Sequence, residues 1–148
     1  MRGQMLPQTA IDAVSQKRNN LFESAVNAPR PKPLEWVGSS KDDLARFPGA
    51  VKRECGYALY LAQLGMRALN IKALKGFGGA SVLEIIVPHQ GDAYRAVFTV
   101  AFAKAVFVLH AFQKKSKRGV ATPRREVELI RRRLAVASEA YRDLYGED

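Results

Sequence analysis

The chain has 148 residues, of which 47% are hydrophobic and 26% charged, and its 24 Lys and Arg against 14 Asp and Glu give a formal net charge of +10. These values are typical of a soluble globular protein, and the length is that of one domain with its own core. The single cysteine, Cys55, excludes an intramolecular disulfide framework, and the presence of only two histidines disfavours a structural zinc site.

The positive charge favours an anionic partner, either nucleic acid or an acidic protein, because neutralising phosphates releases counterions. A basic protein that is merely soluble is the alternative. No apolar run approaches the length of about 18 residues that a membrane-spanning helix needs. The N-terminus also lacks the continuous apolar region of a secretory signal. We therefore expect a cytoplasmic protein with no membrane partner.

Residues 1–31 differ from the rest of the chain and are interpreted as an extension. Their apolar residues Ile11, Val14, Leu21 and Phe22 have loosely helical spacing, and the proline-rich segment "NAPRPKP" that follows would end a helix. We predict a helical or flexible N-terminal extension. We also predict that residues 32–148 form one domain that folds without it.

The first part of this domain has the pattern of a strand followed by helices. "LEWV" at 34–37 is a short apolar strand, and Ser40 is placed to cap a helix whose first turn contains two aspartates. Apolar residues then recur at spacings of three and four, with an interruption at Pro48–Gly49. This pattern predicts a helical hairpin or a kinked helix that ends near Gly65. The apolar stripe consists of Leu44, Phe47, Val51, Cys55, Ala58 and Ala62.

The second part of the domain is predicted to contain three strands and a last helix. We interpret "KALKGFGG" at 72–79 as a loop, and the three runs after it, "SVLEIIV", "AYRAVFTVA" and "KAVFVLHAF", as an antiparallel meander. Thr122 and Pro123 are typical of the cap and first position of a helix. Apolar residues at helical spacing continue from Val127 to Leu144. The fold class is therefore α+β, with helices packed on a compact antiparallel sheet.

Arg95 is the first candidate for binding an anion. Alternation in the middle strand of the meander places Arg95, Val97 and Thr99 on one face, so that the arginine begins an otherwise apolar row. It would either extend to water at the sheet edge or grip a phosphate with two parallel hydrogen bonds.

The next strand ends in a basic loop. Lys104, Val106, Val108, His110 and Phe112 are predicted to share one face, which Lys114 continues. His110 is interpreted either as a hydrogen-bonded structural histidine or as a proton-transfer group. The loop that follows contains Lys114, Lys115, Lys117 and Arg118 without any acid, and a solvated loop is the alternative to the anion site that we favour.

The last helix continues the charge, since residues 112–134 contain nine Lys and Arg but two Glu. Its arginines lie off the apolar stripe, and several are expected to be ordinary surface residues. No pair of carboxylates is placed for acid–base catalysis, because Glu84 is predicted to be alone within the sheet and Asp92 lies in a turn. This composition is compatible with RNA cleavage by the substrate's own 2′-hydroxyl, with cations stabilising the phosphate.

Several segments, in order, resemble the phage-derived branch of the RelE/HigB-like toxins. They are "KPLEWVGSSKDDLARFP", "GYALYLAQLG", "IKALKGFGG", "VLEI", "YRAVFTV" and "VFVLHAFQKKSKRGVATPRREVELIRRRL", which together cover roughly residues 32–140. The last segment is the most specific: an apolar strand, then Phe-x-Lys-Lys, then Thr-Pro-x-x-Glu at the start of a helix. The Tyr-Arg pair at 94–95 is moderately specific, and "KGFGG" is weak.

The resemblance implies a RelE-like fold and a toxin of a type II toxin–antitoxin module. Such a toxin is an endoribonuclease that cuts mRNA in the ribosomal A site without a metal or another cofactor, and a cognate antitoxin, often of the helix-turn-helix type, silences it. Carried onto this sequence, the resemblance assigns the scissile phosphate to Arg95, Lys114 and Lys115, and the RNA backbone to Lys72 and Lys75. From the residues themselves we add His110 as a candidate for proton transfer, and Lys117, Arg118 and Arg125 of the basic run as RNA-binding residues.

The chain also departs from the family pattern. Where relatives often have Leu-x-Glu-Leu-Arg, this chain has "VLEII", which puts Ile86 in the arginine position. Tyr141 and Tyr145 are interpreted as packing residues, so the C-terminal catalytic Tyr or His of some relatives has no counterpart. These departures favour the alternative of a catalytically degenerate protein that binds RNA or an antitoxin. A DNA-binding regulator is disfavoured because no helix-turn-helix pattern is present.

Overall fold

The computed structural model describes residues 16, 30–79, 81–115 and 121–148. The chain divides into two units, Met1–Arg30 and Pro31–Asp148, and the second contains nearly all of the described residues. The predicted N-terminal extension therefore lies almost wholly outside the described residues, as do Lys117 and Arg118 of the basic loop.

The described domain is α+β, as predicted. A short strand precedes two helices, four strands follow, and a long helix ends the domain. The strands are β1 (Leu34–Trp36), β2 (Ile71–Ala73), β3 (Val82–His89), β4 (Asp92–Thr99) and β5 (Val106–Lys114), and the helices are α1 (Ser40–Ala45), α2 (Gly49–Gln63) and α3 (Arg124–Tyr145). None of the helices in the described part is long and apolar enough to cross a bilayer.

The five strands form one sheet in the order β1-β5-β4-β3-β2. Strands β2 to β5 are antiparallel to their neighbours, but β1 is parallel to β5, with Leu34 opposite Val106. The sheet is therefore mixed rather than purely antiparallel. Residues 71–73 form the edge strand β2, where we predicted a loop that begins at residue 72. A strand of three residues is too short to produce a detectable alternation in sequence.

The sheet is covered on both faces. Helices α1 and α2 pack on one face, where Val51 and Cys55 meet Ile85 and Phe98 in one apolar cluster. Helix α3 packs on the other face through Ile130, Ala137 and Tyr141. Complete burial stabilises each large apolar side chain by about 1.5–3 kcal/mol. The interruption at Pro48–Gly49 separates α1 from α2, which confirms the predicted break.

A register shift between Val97 and Phe98 places an extra residue, Leu109, in β5. Leu109 and His110 consequently both lie on the α3 side, whereas Val106 and Val108 belong to the cluster under α2. The prediction that Val106, Val108 and His110 share one face was therefore wrong. A bulge of one residue exchanges the faces of every residue beyond it.

Two predicted helix caps have other roles. Ser40 is the first residue of α1, and its buried hydroxyl donates to the backbone oxygen of Val108 at 3.2 Å. Pro123, rather than Thr122, immediately precedes α3. The Thr122 hydroxyl instead donates to the Glu84 carboxylate at 2.6 Å. Both hydroxyls thus bind groups of the sheet that are distant in sequence.

Candidate functional site

A buried ion pair lies where α3 begins against the sheet. Arg95 Nη1 is 2.6 Å from Glu84 Oε1, and the two residues are 4% and 0% exposed. Thr122 connects to both, because its hydroxyl donates to Glu84 Oε2 at 2.6 Å and accepts from Arg95 Nη1 at 3.2 Å. We name these three residues the Glu84 cluster. Glu84 therefore pairs with a cation and a hydroxyl rather than with a second carboxylate, and Arg95 does not extend to water.

The backbone register explains this pairing. In the β3–β4 hairpin Glu84 is opposite Val97, and Ile86 is opposite Arg95, so the two charged residues are diagonal neighbours on the α3 face. Ile86 lies directly beside Arg95. A buried pair requires its partner to stay in place, because an unpaired charge at such a site is costly. The guanidinium is thus held in a fixed position.

A cavity of about 310 Å³ opens next to the Glu84 cluster, between β2, the loop after it and the start of α3. Lys72 lies opposite Glu84 in the β2–β3 ladder and therefore on the same face. Lys72 and Lys75 are both exposed. The cavity is lined by Lys72, Ala73, Leu74, Lys75, Ala121, Thr122 and Val127. Thr122 thus belongs to both the cavity wall and the buried cluster.

Lys114 reaches the same place from the end of β5. Its Nζ donates to the backbone oxygen of Ala121, a lining residue, at 2.6 Å. The pKa of Lys114 is lowered from its ordinary value, chiefly by desolvation and then by the charges of Arg95 and Lys72, while Glu84 acts in the opposite direction. Three cations, Lys72, Arg95 and Lys114, therefore lie around a single carboxylate, that of Glu84. This excess of positive charge favours the binding of an anion, and the exposed Lys115, next to Lys114 in sequence, adds to it.

His110, in β5, belongs to a different network, whose first contact with α3 lies about one turn beyond Thr122. Its Nε2 hydrogen-bonds to Glu126, and its Nδ1 lies 3.3 Å from Arg133 Nη1. A guanidinium can only donate, so Nδ1 accepts and Nε2 carries the proton towards Glu126. Arg133 also donates to the backbone oxygen of Leu109 at 3.0 Å. We name His110, Glu126 and Arg133 the His110 cluster.

This geometry favours the structural interpretation of His110 over proton transfer. The side chain is 7% exposed, and both ring nitrogens are engaged with residues of α3. The ring also stacks on Phe112, with centroids 5.0 Å apart. The network fastens the start of α3 to β5.

The other predicted residues lie away from the cavity or outside the described residues. The Arg125 side chain is 88% exposed, with Nε 3.6 Å from Glu126 Oε1. Tyr141 is buried in the core, and Tyr145 donates to Glu35 at 2.7 Å, a contact that raises the Tyr145 pKa to about 12. The packing role predicted for these tyrosines is confirmed. Lys117 and Arg118 are not among the described residues.

Sequence reasoning did not identify the contacts made by Glu84, Thr122 and Glu126. The pairing of Glu84 with Arg95 could have been inferred, because counting back from the turn "PHQGD" places the two residues diagonally opposite each other in the hairpin. Thr122 gave no such signal, because 38 residues separate it from Glu84 and its position before a proline indicated a cap. Glu126 was noted only as part of a Thr-Pro-x-x-Glu motif.

The chain is similar to a family of phage-derived proteins and, more distantly, to a solved structure. A family model described as "Phage derived protein Gp49-like (DUF891)" matches residues 42–135, a range that begins in α1 and ends in α3. The toxin–antitoxin complex RelBE2 from Mycobacterium tuberculosis contains a similar chain, with 16% identity and a TM-score of 0.39, over 58% of this chain and 94% of that chain. No curated protein sequence matches.

Proposed function

Because the chain belongs to the Gp49-like family of phage-derived proteins, a family of RelE/HigB-type toxins, we propose that it is a ribosome-dependent mRNA endoribonuclease that inhibits translation. The family membership confirms the resemblance drawn from the sequence motifs. We also propose that the protein binds a cognate antitoxin of the helix-turn-helix type and acts in the cytoplasm.

One observation carries the proposal: two lysines line a cavity and a third lies beside its wall, next to a buried ion pair. Lys72, Lys75 and Lys114 come from β2, the loop after it and β5, yet all lie at the start of α3. The pKa of Lys114 is lowered by desolvation and by the neighbouring charges of Arg95 and Lys72, which agrees with the crowding of cations at this point. A bound phosphate would neutralise the excess positive charge of Lys72, Lys75 and Lys114.

The chemistry that suits these groups is transesterification by the RNA itself. The 2′-oxygen attacks the adjacent phosphorus, the bond from phosphorus to the 5′-oxygen breaks, and the products are a 2′,3′-cyclic phosphate and a 5′-hydroxyl. The 2′-hydroxyl loses a proton to solvent, and the leaving 5′-oxygen gains one. Lys114 would stabilise the charged phosphorane and donate this proton, because its lowered pKa brings proton donation closer to neutral pH.

The remaining cations have supporting roles in this proposal. Lys72 and Lys75 would hold the RNA backbone at the cavity, with Lys115 beside Lys114. Arg95, buried against Glu84, would act through its positive field and by fixing Thr122 rather than by gripping the phosphate directly. Lys117, Arg118 and Arg125 would extend the contact to neighbouring phosphates.

Induced expression in a bacterial host tests the proposal. Wild-type protein should arrest growth and produce new mRNA 5′ ends inside translated codons. Lys114→Ala should abolish both effects, whereas Arg142→Ala, which removes an exposed cation from the last turn of α3, should leave them intact. Soluble wild-type protein without growth arrest or new 5′ ends would contradict the proposal.

A second function, binding without catalysis, is favoured by one observation. Two of the four predicted catalytic residues, Arg95 and His110, are buried and bound to carboxylates. A degenerate toxin would keep the cationic surface and bind RNA or an antitoxin. Purified protein that binds ribosomes but leaves their mRNA uncut would favour this second function.

A further inference from the structure

The loop after β2 is held at two points, and Lys75 lies between them. At one end, the backbone N–H of Leu74 donates to Val82 at 2.9 Å, and the Leu74 side chain is buried. At the other end, Arg131 Nη2 donates to the backbone oxygen of Gly76 at 3.0 Å, and its guanidinium carbon lies 4.8 Å from the centre of the Phe77 ring. Arg131 is an exposed residue of α3.

The loop itself is shaped to allow this contact. Gly76 and Gly78 have φ values of 95° and 72°, in the region that favours glycine. A Cβ built on Gly76 would lie 3.6 Å from Arg131 Nη2, so the guanidinium rests directly on the loop backbone. Gly76, the Phe77 ring and the Arg131 guanidinium thus form one specific contact between the loop and the helix.

Arg131 also lies on the face of α3 that borders the cavity. It is four residues beyond Val127, a lining residue, and residues at this spacing are neighbours on one helix face. The contact with Gly76 and Phe77 therefore sets how far the loop stands from α3, and with it the width of the cavity on the side of Lys75.

From this geometry we infer that Arg131 is a positioning residue of the RNA-binding site: it fastens the loop at Gly76–Phe77 and thereby places Lys75 over the cavity. The inference rests on the proposed function. In it, the charge of Arg131 serves the loop and is not a further phosphate contact. Loss of the Phe77 ring should then have the same consequence as loss of the Arg131 charge, although no charge changes at residue 77.

The first arm of the test needs no RNA. Hydrogen exchange of the backbone amides in residues 74–79 is compared in the full-length wild type, Arg131→Ala, Phe77→Leu and Arg132→Ala. Arg132 is the matched control, because it is an exposed arginine about 100° further round the helix. We expect faster exchange in Arg131→Ala and Phe77→Leu only. Unchanged exchange in both would overturn the fastening.

The second arm measures mRNA cleavage on programmed ribosomes against ribosome concentration. Arg131→Ala should raise the half-saturating concentration about five- to tenfold, the effect of one exposed cation–π contact and one hydrogen bond. Phe77→Leu keeps the hydrogen bond to Gly76 and should raise it about two- to fivefold, and both variants should leave the maximal rate within about twofold. Arg131→Lys should recover part of the loss. Arg131→Ala combined with Lys75→Ala should be no weaker than Lys75→Ala alone, since Arg131 acts through Lys75.

Each other result of the second arm overturns the inference. An equal loss in Arg132→Ala would mean that only net charge matters, and a loss in Arg131→Ala without one in Phe77→Leu would make Arg131 a direct contact. If Arg131→Ala cleaves and saturates as the wild type does, the inference is overturned and the proposed function stands. If the wild-type protein itself neither binds ribosomes nor cuts their mRNA, the proposed function is overturned too. The exchange arm then still reports whether Arg131 fastens the loop.

Discussion

The Glu84 cluster and the His110 cluster both join the region where α3 begins to the sheet through a carboxylate and a cation, but the Glu84 carboxylate is buried and that of Glu126 is half-buried. In the His110 cluster, Glu126 and Arg133 engage the two ring nitrogens. Beside the Glu84 cluster, Lys72 and Lys114 add positive charge, and a cavity opens. A buried polar network therefore does not by itself mark an active site. An excess of charges of one sign at an accessible cavity is the more informative feature.

The largest expected effect is on stability, from removal of the Glu84 carboxylate. Glu84→Ala should lower the free energy of unfolding by about 3–5 kcal/mol, because it leaves the Arg95 charge buried without its carboxylate. Denaturant unfolding followed by circular dichroism measures this. The double variant Glu84→Leu with Arg95→Met should recover most of the loss, since an apolar pair needs no counter-charge. Equal destabilisation in both variants would show that packing, rather than charge, dominates.

A smaller loss is expected from the His110 cluster. His110→Leu should lower the free energy of unfolding by about 1–3 kcal/mol, because Glu126 and Arg133 each lose a partial partner near the surface. His110→Gln should lose less, since its amide can still donate to Glu126. Thermal melting of the two variants tests this order. A Gln variant as unstable as the Leu variant would mean that the stacking of the His110 ring on Phe112, rather than the hydrogen bond to Glu126, makes the larger contribution to stability.

The pH dependence of cleavage should report the protonation state of Lys114, beside the Glu84 cluster. The folded-state pKa of Lys114 is lowered, so the ammonium is present below that pKa and is lost as the pH rises through it, at a value below the ordinary 10.5. The maximal cleavage rate should therefore decline on the alkaline side, by up to about tenfold per pH unit.

Removing a neighbouring cation should move this decline. Lys72→Met takes away one charge that lowers the Lys114 pKa, so the decline should shift to higher pH. The alkaline limb is measured as maximal rate against pH on programmed ribosomes, with Lys114→Arg as the control that does not titrate. An unmoved limb in Lys72→Met, or a limb that persists in Lys114→Arg, would assign the titration to another group.

Patterns of hydrophobicity predicted the elements that depend on them. The stripe on α2, the break at Pro48–Gly49 and the long helix after Pro123 all follow from spacing. The direction of β1 could not be predicted, because "LEW" pairs equally well in either sense. The extra residue at Leu109 was also hidden, since alternation in sequence continues unbroken through a bulge that reverses the faces.

The cations of the site were predictable because basic residues without acids nearby stand out in a sequence. The buried partners were not, since they depend on contacts between distant segments. Thr122 meets Glu84 only when α3 lies on the sheet, and Arg133 meets His110 across 23 residues for the same reason. The sequence therefore indicated where charge accumulates, but not which charges are already neutralised.

Single-turnover cleavage of mRNA on programmed ribosomes, with Lys114→Ala and His110→Gln compared side by side, distinguishes Lys114 from His110 as the proton donor. We expect Lys114→Ala to lose about a hundredfold or more in rate, the usual contribution of a general acid. His110→Gln keeps the hydrogen bond to Glu126 but cannot transfer a proton, and it should cleave at nearly the wild-type rate. A His110→Gln variant that is inactive while Lys114→Ala still cuts would place the chemistry in the His110 cluster and contradict the account.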